Sequence, residues 1–265
     1  MRVFGFLVAF LVVSAAWADE MRLAVTTSFH NSGLSDILLP AIADDTGIEV
    51  QLIVVGTGQA IRLGEAGDVD AILVHSRKAE EAFVEAGFGI HRREIMYNDF
   101  VLIGPEHDPA GIASSTSISD ALQAIAASQS VFATRGDDSG THKRELALWA
   151  AAGTDTGGGW YRELGSGMGA TLNTAAGLGA YVLSDRASWL NFGNKDGMRI
   201  LFEGDPALFN QYAYLPVNSA RHPHVKVDLA QALENWLVSE KAQVMIGAYE
   251  IADQQLFVPN AVSKK

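Results

Sequence analysis

Three loops of this sequence combine glycine with hydroxyl-bearing residues, directly after an apolar run and directly before a helical pattern. They are Thr26 to Gly33, Gly56 to Ala60 and Thr134 to His142. A fourth loop of the same composition, Gly165 to Thr171, precedes a helical pattern without so clear a strand before it. A helix N-terminus leaves backbone N–H groups unpaired and carries about half a positive charge. Small residues admit an anion to these N–H groups and hydroxyls add donors, so the loops favour anion binding.

Each loop taken alone also has a plain structural interpretation. A cluster of serine, threonine and glycine before a helix is the usual composition of an N-cap and its turn. The recurrence of the pattern in one chain, and the presence of Arg135 within the third loop, favour a common binding function instead. Several such loops brought together would form a cage for one small anion.

The third loop also allows an enzymatic interpretation. Its Gly136 to Gly140 segment is loosely similar to the Gly-Asp-Ser-Gly of trypsin-like proteases, with one additional aspartate. A serine hydrolase would need a histidine and an aspartate positioned on the serine. His142 follows Ser139 by three residues at a predicted helix start, which is poor geometry for a base, and exposed capping is the role we expect of it. With no cysteine in the chain, a thiol nucleophile and a thiolate metal site are both excluded. The chain is therefore not expected to be an enzyme.

The elements that must position these loops alternate between β-like runs and amphipathic helical stretches, which predicts an α/β fold. Strands are predicted at Met21–Thr26, Ile48–Val55, Asp70–Val74, Phe100–Gly104, Ser130–Thr134, Arg199–Glu203 and Tyr212–Val217. Helices are predicted from an N-cap at Asn31 or Ser32 to Gly47, over Arg77–Ala86, Ile118–Ala127 and Thr141–Ala152, from near Gly169, and over Leu229–Val238 and Lys241–Tyr249. Ligands of open α/β sheets bind at the carboxyl ends of the strands, which is where these loops lie.

The first eighteen residues predict a removable signal peptide. Arg2 is followed by the apolar run Phe4 to Val13, and Ala16-Trp17-Ala18 is a small-x-small cleavage site. The run is too short for a comfortable membrane span. Without a cysteine for a lipid anchor, the mature chain is expected to be free in the periplasm.

Composition narrows the choice of partner. Hydrophobic residues make up 48 % of the chain, enough for a buried core, so disorder is excluded. The formal net charge of −12 argues against nucleic acid or an anionic membrane as partner. It does not forbid an anionic ligand, because a buried donor site acts at short range while distant surface charges are screened.

Taken in order, these loops and their neighbours resemble the tungstate-binding proteins of bacterial ABC-type importers over nearly the whole mature chain. The similar stretches are Thr26-Thr27-Ser28, Asn31-Ser32-Gly33-Leu34, Val54 to Ala60, Asp70 to His75, Met96 to Phe100, Arg135 to Lys143, Gly167 to Asn173 and Glu203 to Asn210. The sequence departs from the family pattern at Val25 and Phe29, where the family often has threonine. Neither position has to touch the anion.

The resemblance implies a two-lobe periplasmic binding fold of type II-like architecture that closes over tungstate, or sometimes molybdate, in a cleft between the lobes. It implies delivery to an ABC-type membrane permease by a protein expected to be monomeric and to need no cofactor. The ligand contacts that it implies are Thr27, Ser28, Thr57, Arg135, Ser139, Thr141 and the backbone N–H groups of Met168 to Thr171, which include Gly169, Ala170 and Thr171.

The resemblance also implies a discontinuous first lobe. We expect crossings near Asn98–Gly104 and Tyr212–Val217, with residues 19–100 and 217–265 in lobe I and residues 101–216 in lobe II.

A phosphate or carboxylate receptor of the same fold is the alternative interpretation. Phosphate-binding proteins have a similar arginine loop, in which a carboxylate accepts the proton of hydrogen phosphate. Tungstate is an unprotonated dianion at neutral pH and a facing carboxylate would repel it. We therefore expect Asp137 or Asp138 to pair with Arg135 or to cap the helix rather than face the ligand.

Overall fold

A computed structural model describes residues 19–195 and 197–261 of the chain. The predicted signal peptide, residues 1–18, lies outside the described residues. The strands are β1 Asp19–Thr26, β2 Ile48–Val55, β3 Ala71–Val74, β4 Arg93–Pro105, β5 Phe132–Thr134, β6 Tyr161–Glu163, β7 Val182–Asp185, β8 Met198–Phe202, β9 Phe209–Pro216, β10 Glu250–Ile251, β11 Gln254–Gln255 and β12 Val258–Pro259. The helices are α1 Thr27–Asn31, α2 Leu34–Thr46, α3 Thr57–Ala66, α4 Arg77–Glu85, α5 Ile118–Ser128, α6 Gly140–Ala151, α7 Met168–Leu178, α8 Arg186–Asn191, α9 Val227–Leu237 and α10 Glu240–Gly247.

The strand β4 runs through both halves of the molecule. Its first part, Arg93 to Asp99, pairs antiparallel with β9 and β12. Its second part, Phe100 to Pro105, pairs antiparallel with β7 and β8. Beyond β9 the first sheet continues through β3 and β1 to β2. One continuous strand therefore connects two lobes of α/β structure.

Alternate side chains of a strand point to opposite faces of its sheet, and most of β1, all of β3 and the second part of β4 are buried on both faces. In β1, Leu23 and Val25 pack with α2 and α9 on one face, while Ala24 packs with α3 and α4 on the other. In the second part of β4, Phe100 and Leu102 contribute to a different core from Val101 and Ile103. Because these strands contribute side chains to a core on each face, their sequences are nearly continuous apolar runs.

The boundary between the lobes differs from the expected one at its second crossing. Residues 209–216 were expected in lobe II, whereas β9 pairs with β3 and with the first part of β4. The antiparallel register between Ala71 and Pro216 holds this strand inside the first sheet. We propose a division into residues 19–100 with 209–261 and residues 101–208.

The chain after β1 also differs from the prediction. A separate short helix, α1, begins at Thr27, with Thr26 as its N-cap, and α2 begins at Leu34 after Gly33. Gly33 has φ 78°, a left-handed conformation that glycine adopts without strain. The expected N-cap at Asn31 or Ser32 was therefore wrong, because Gly33 is the N-cap of α2, while Thr26 caps the separate helix α1.

Candidate functional site

All four glycine-rich loops lie where a strand ends and a helix begins. The first follows β1 and itself contains α1, and the other three connect β2 to α3, β5 to α6 and β6 to α7. The sequence predicted no clear strand before the fourth loop. The structure has β6 there, and β6 pairs parallel with β5. The four loops thus occupy the carboxyl ends of strands, the usual ligand position in α/β folds.

Three of these loops meet across the junction of the lobes. The backbone N–H of Gly58 donates to the carbonyl oxygen of Asp138 at 2.9 Å. Nη2 of Arg135 lies 3.4 Å from Oγ1 of Thr27. A Cβ added to Gly140 would lie 2.8 Å from Oγ1 of Thr57, so only glycine fits there without displacement. The structure therefore brings Thr27, Thr57 and Arg135 together in a closed arrangement. The fourth loop joins them through α7, which packs against α1.

Arg135 is the buried cation of the site, with a side chain 2 % exposed. Its Nε and Nη2 donate to Oδ2 of Asp137 at 3.2 and 2.6 Å. Oδ1 of Asp137 accepts from the backbone N–H of Ser139 at 3.2 Å. The carboxylate therefore orients the guanidinium, and the predicted pairing of Asp137 with Arg135 is confirmed.

Asp138 points away from this arrangement. Its side chain is 47 % exposed and forms ion pairs with Arg62 at 2.9 Å and Lys143 at 2.8 Å. Burial is the largest single influence and acts to raise the pKa of the Asp138 carboxyl, but the hydrogen bonds and charges of Lys143 and Arg62 together lower it. Because Arg62 belongs to α3 and Asp138 to the loop before α6, this ion pair also spans the lobes.

Three predicted ligand contacts are buried hydroxyls that have no hydrogen-bond partner among the residues that the structure describes. They are Oγ of Ser28, Oγ1 of Thr57 and Oγ1 of Thr141, with side chains 1 %, 0 % and 0 % exposed. Leaving such a group unsatisfied costs about 1–3 kcal/mol. Their clustering beside Arg135 is therefore the arrangement expected of a site built for an acceptor-rich ligand.

Backbone N–H groups add to this donor set. The first residues of α7 have no intrahelical acceptor, and Gly167 at the N-cap makes no side-chain hydrogen bond to them. The free N–H groups belong to Met168, Gly169 and Ala170. Thr171 differs, because its N–H donates to the carbonyl oxygen of Gly167 and its hydroxyl bonds within the same loop. Its role as a contact stays a prediction and has less structural support than the others.

Ser139 and His142 form the N-terminal cap of α6. Oγ of Ser139 accepts from the backbone N–H of His142 at 3.1 Å. The ring Nδ1 of His142 contacts the carbonyl oxygen of Asp137, not the serine hydroxyl. His142 is half-buried where exposed capping was expected, because its ring folds back over the arginine loop. Ser139 keeps a proton to donate and stays a predicted contact.

Two further groups that the sequence reasoning missed lie beside these residues. Asp185 is the N-cap of α8 and is 0 % exposed, and burial raises the pKa of its carboxyl. Ser188 presents another buried hydroxyl, which has no hydrogen-bond partner within residues 19–195 and 197–261. The signal that could have revealed them is the apolar run Tyr181 to Leu183 followed by a capping aspartate and, three residues later, Ser188.

His75 is a buried ring that lies beside Gly140. A Cβ on Gly140 would lie 2.9 Å from its Cε1, and Nδ1 lies 2.9 Å from Oδ1 of Asn210. Burial lowers the pKa of His75 to about 4, so the ring is neutral at pH 7 and adds no charge.

Comparison with known proteins identifies the family of the chain. Residues 13–241 match the model of the PBP superfamily domain. The chain is 46 % identical over 243 residues to the tungstate-binding protein TupA of Peptoclostridium acidaminophilum, covering 90 % of this chain and 85 % of that protein. The structure of the tungstate-binding protein TupA from Desulfovibrio alaskensis G20 superposes with a TM-score of 0.80 at 45 % identity, over 92 % of this chain and 100 % of that one. A tungstate ABC transporter structure from Geobacter sulfurreducens gives a TM-score of 0.81 at 45 % identity, over 87 % of this chain and 98 % of that one.

The two lobes and the donor-lined cleft define a solute-binding protein of the PBP superfamily. Within that superfamily the chain belongs to the family of the TupA tungstate-binding proteins. The predicted fold class and family resemblance are confirmed. A phosphate-binding neighbour at 12 % identity shares the fold alone.

Proposed function

We propose that this chain captures tungstate between its lobes and delivers it to the permease of an ABC-type importer. The observation that carries the proposal is the group of unpartnered buried hydroxyls of Ser28, Thr57 and Thr141 around Arg135. Tungstate offers only acceptor oxygens, which such donors can satisfy. Molybdate, an oxyanion of the same shape and charge, is expected to enter the same site.

The strength of capture follows from charge-assisted hydrogen bonds in a dry site. Each such bond contributes about 1.5–3 kcal/mol. Several of them can support a Kd in the nanomolar range, which corresponds to about −12 kcal/mol. Because Asp137 already balances the charge of Arg135, the neutral donors must provide much of the affinity.

Closure of the lobes would complete the site. The contacts of Gly58 with Asp138 and of Arg135 with Thr27 span the lobes. An anion that gains donors from both sides binds the closed form more tightly, and so it shifts the population toward that form. The closed form is the one we expect the permease to receive.

Calorimetric titration of the protein lacking residues 1–18 tests the proposal. Tungstate should bind with one-to-one stoichiometry, while sulfate and phosphate give no heat, and the molybdate curve measures selectivity. A phosphate isotherm without tungstate binding would assign the chain to the phosphate receptors of the same fold.

We also propose that the protein acts in the periplasm as a monomer released by cleavage after Ala18. Among residues 19–195 and 197–261, no helix is long and apolar enough to cross a membrane. The mass of the protein recovered from a periplasmic extract should match a chain that begins at Asp19, and sedimentation should give the mass of one chain. Retention of residues 1–18 or a dimeric mass would contradict this part of the proposal.

A further inference from the structure

Asp185 is a buried carboxyl group to which the proposed binding of an anion by hydroxyl donors gives no role. Its Oδ1 accepts from the backbone N–H of Ser188 at 2.9 Å, as an N-cap does. Its Oδ2 is buried and has no hydrogen-bond partner among the residues that the structure describes. An unpaired buried carboxylate is costly, and it is more costly still beside a bound anion.

Two donors of the proposed anion site, Ser28 and Arg135, act on this carboxyl group. Desolvation is the largest influence on the Asp185 carboxyl and raises its pKa, whereas Ser188, Ser28 and Arg135 act to lower it. Ser28 is on α1, which packs against α8. Yet neither Oγ of Ser28 nor Oδ2 of Asp185 has a partner at the distance and angle of a formed hydrogen bond. The two groups are thus close, and each still has hydrogen-bonding capacity.

The other titratable neighbours supply no compensating charge. Tyr212 on β9 is fully buried, and its Oη has no partner in the described part of the chain. His75 stacks on Tyr212 with ring centroids 4.7 Å apart and is neutral at pH 7. Arg186 follows Asp185 directly, but its guanidinium binds Asp99 at 2.6 Å and Glu203 at 2.6 Å. In the described part of the chain, Arg135 is the other cation that acts on Asp185, and Asp137 is already paired with it.

The charges around the site therefore depend on the state of Asp185. With Asp185 ionised, Arg135, Asp137 and Asp185 together carry one negative charge before the dianion arrives. An ionised Oδ2 would also accept the hydrogen bond of the Ser28 hydroxyl, which would then no longer be free to donate to the ligand. With Asp185 protonated, its O–H can donate to Oγ of Ser28, and the hydroxyl proton of Ser28 is left for the anion.

We infer that Asp185 holds a proton when the site contains its anion and positions the hydroxyl of Ser28 as a donor to that anion. This inference rests on the proposed function, because it assumes that a dianion such as tungstate occupies the site. The carboxyl group then serves as a neutral donor, a role that an amide can reproduce.

Infrared difference spectroscopy of the tungstate-saturated protein at pH 7.5 tests the inference. The spectrum of the wild type minus that of Asp185→Asn should contain the carbonyl stretch of a protonated carboxylic acid, shifted in D₂O. The subtraction is needed because Glu80 and Glu145 can also hold protons and absorb in the same region. Burial raises the pKa of each of these two glutamates to about 7. Absence of this difference band would overturn the inference.

Affinity provides a second readout. Asp185→Asn should bind tungstate within about fivefold of the wild type, because asparagine caps a helix as well as aspartate does. Asp185→Ala should bind at least about tenfold more weakly, since it removes the donor as well as the cap. A folded Asp185→Asn protein that has lost tungstate binding would show that the negative charge is required, and would overturn the inference.

The matched control is Asp205→Asn. Asp205 also caps a short helical turn, with Oδ1 accepting from the N–H of Ala207 at 2.7 Å, and it has no part in the site. It should change neither the infrared band nor the Kd. A wild type that fails to bind tungstate would overturn the proposed function and the inference together. A wild type that binds phosphate, with binding lost in Asp185→Asn, would instead make Asp185 the acceptor of the phosphate proton.

Discussion

Arg135 is the residue whose replacement should affect ligand affinity most directly. Arg135→Ala removes a guanidinium that is 2 % exposed and oriented by Asp137. Tungstate should then bind at least about tenfold more weakly, because a charge-assisted hydrogen bond of about 1.5–3 kcal/mol is lost. Calorimetry measures this change. The exposed Arg77, which pairs with Glu81 on α4, provides the control Arg77→Ala, and equal Kd values for both variants would remove Arg135 from the site.

A substitution at Gly140 tests whether tungstate binding needs the close approach of the lobes. A methyl group there would lie 2.8 Å from Oγ1 of Thr57 and 2.9 Å from Cε1 of His75, both of which are buried. Overpacking of this kind costs roughly 1–3 kcal/mol. Gly140→Ala should therefore weaken tungstate binding by about fivefold to a hundredfold.

The control for this variant is Gly177→Ala. Gly177 lies in α7 with no atom within 4 Å of the added Cβ, so its tungstate Kd should stay at the wild-type value. An unchanged Kd in Gly140→Ala would show that the closed contact is not needed for binding.

Single residues also show how far sequence reasoning reached into the site. The family resemblance implied Ser28, Thr57, Thr141 and Arg135, whose hydroxyl and guanidinium groups stand in loops between recognisable strands and helices, and their contact with an anion stays a prediction. Asp185 was missed because β7 has four residues and α8 has six. Elements this short give too few turns or alternations for a periodic pattern to emerge.

At the scale of elements, the side chain of Ser139 caps the start of α6 and belongs to the loop that holds Arg135. Oγ of Ser139 accepts from the N–H of His142 at 3.1 Å. Ser139→Ala should lower the free energy of unfolding by about 1 kcal/mol, the usual cost of an N-cap. It should also weaken tungstate binding, because the loop that holds Arg135 loses its anchor.

The equivalent cap of α10 separates these two effects. Oγ of Ser239 accepts from the N–H of Ala242 at 3.3 Å, remote from the site. Ser239→Ala should lower the free energy of unfolding similarly and leave the tungstate Kd unchanged. Urea unfolding and calorimetry on both variants measure the two quantities. Equal Kd values for Ser139→Ala and the wild type would limit Ser139 to a structural role.

Most helices and strands could be predicted from the hydrophobic periodicity and from the glycines that flank them. The strands that were not predicted have physical causes. Ile48–Val55 was predicted with its true bounds because Gly47 and Gly56 flank it. The first half of β4 was missed because residues such as Arg93, Asn98 and Asp99 interrupt the apolar pattern where the strand crosses between the lobes. The lobe boundary near β9 could not be read from the sequence, since strand order is a tertiary property.

For the whole molecule, Glu145 should make stability depend on pH. Burial raises the pKa of its carboxyl to about 7, while hydrogen bonds from Tyr161 and Trp149 oppose that rise. The unfolded chain releases this proton near its ordinary pKa of 4.5. Between those values the folded state holds more protons, so the free energy of unfolding falls as the pH rises from about 4.5 to about 7.

Glu145→Gln should remove this part of the pH dependence. Urea unfolding at pH 5 and pH 7.5 should show a smaller difference in the variant than in the wild type, by up to about 3 kcal/mol. The glutamine oxygen can still accept from Oη of Tyr161, now at 2.7 Å. Glu85→Gln, at an exposed position, should keep the wild-type difference, and an identical difference in Glu145→Gln would contradict the assignment.

The strand that runs through both lobes has a consequence for how the protein comes apart. A chain of this length with two lobes could melt in two separate steps, one for each lobe. Here, however, β4 supplies the antiparallel partner of β9 in one lobe and of β7 and β8 in the other. Loss of either sheet frees part of a strand that the other sheet still needs. Heating should therefore give one cooperative transition, and neither lobe should survive alone when the other is cut away.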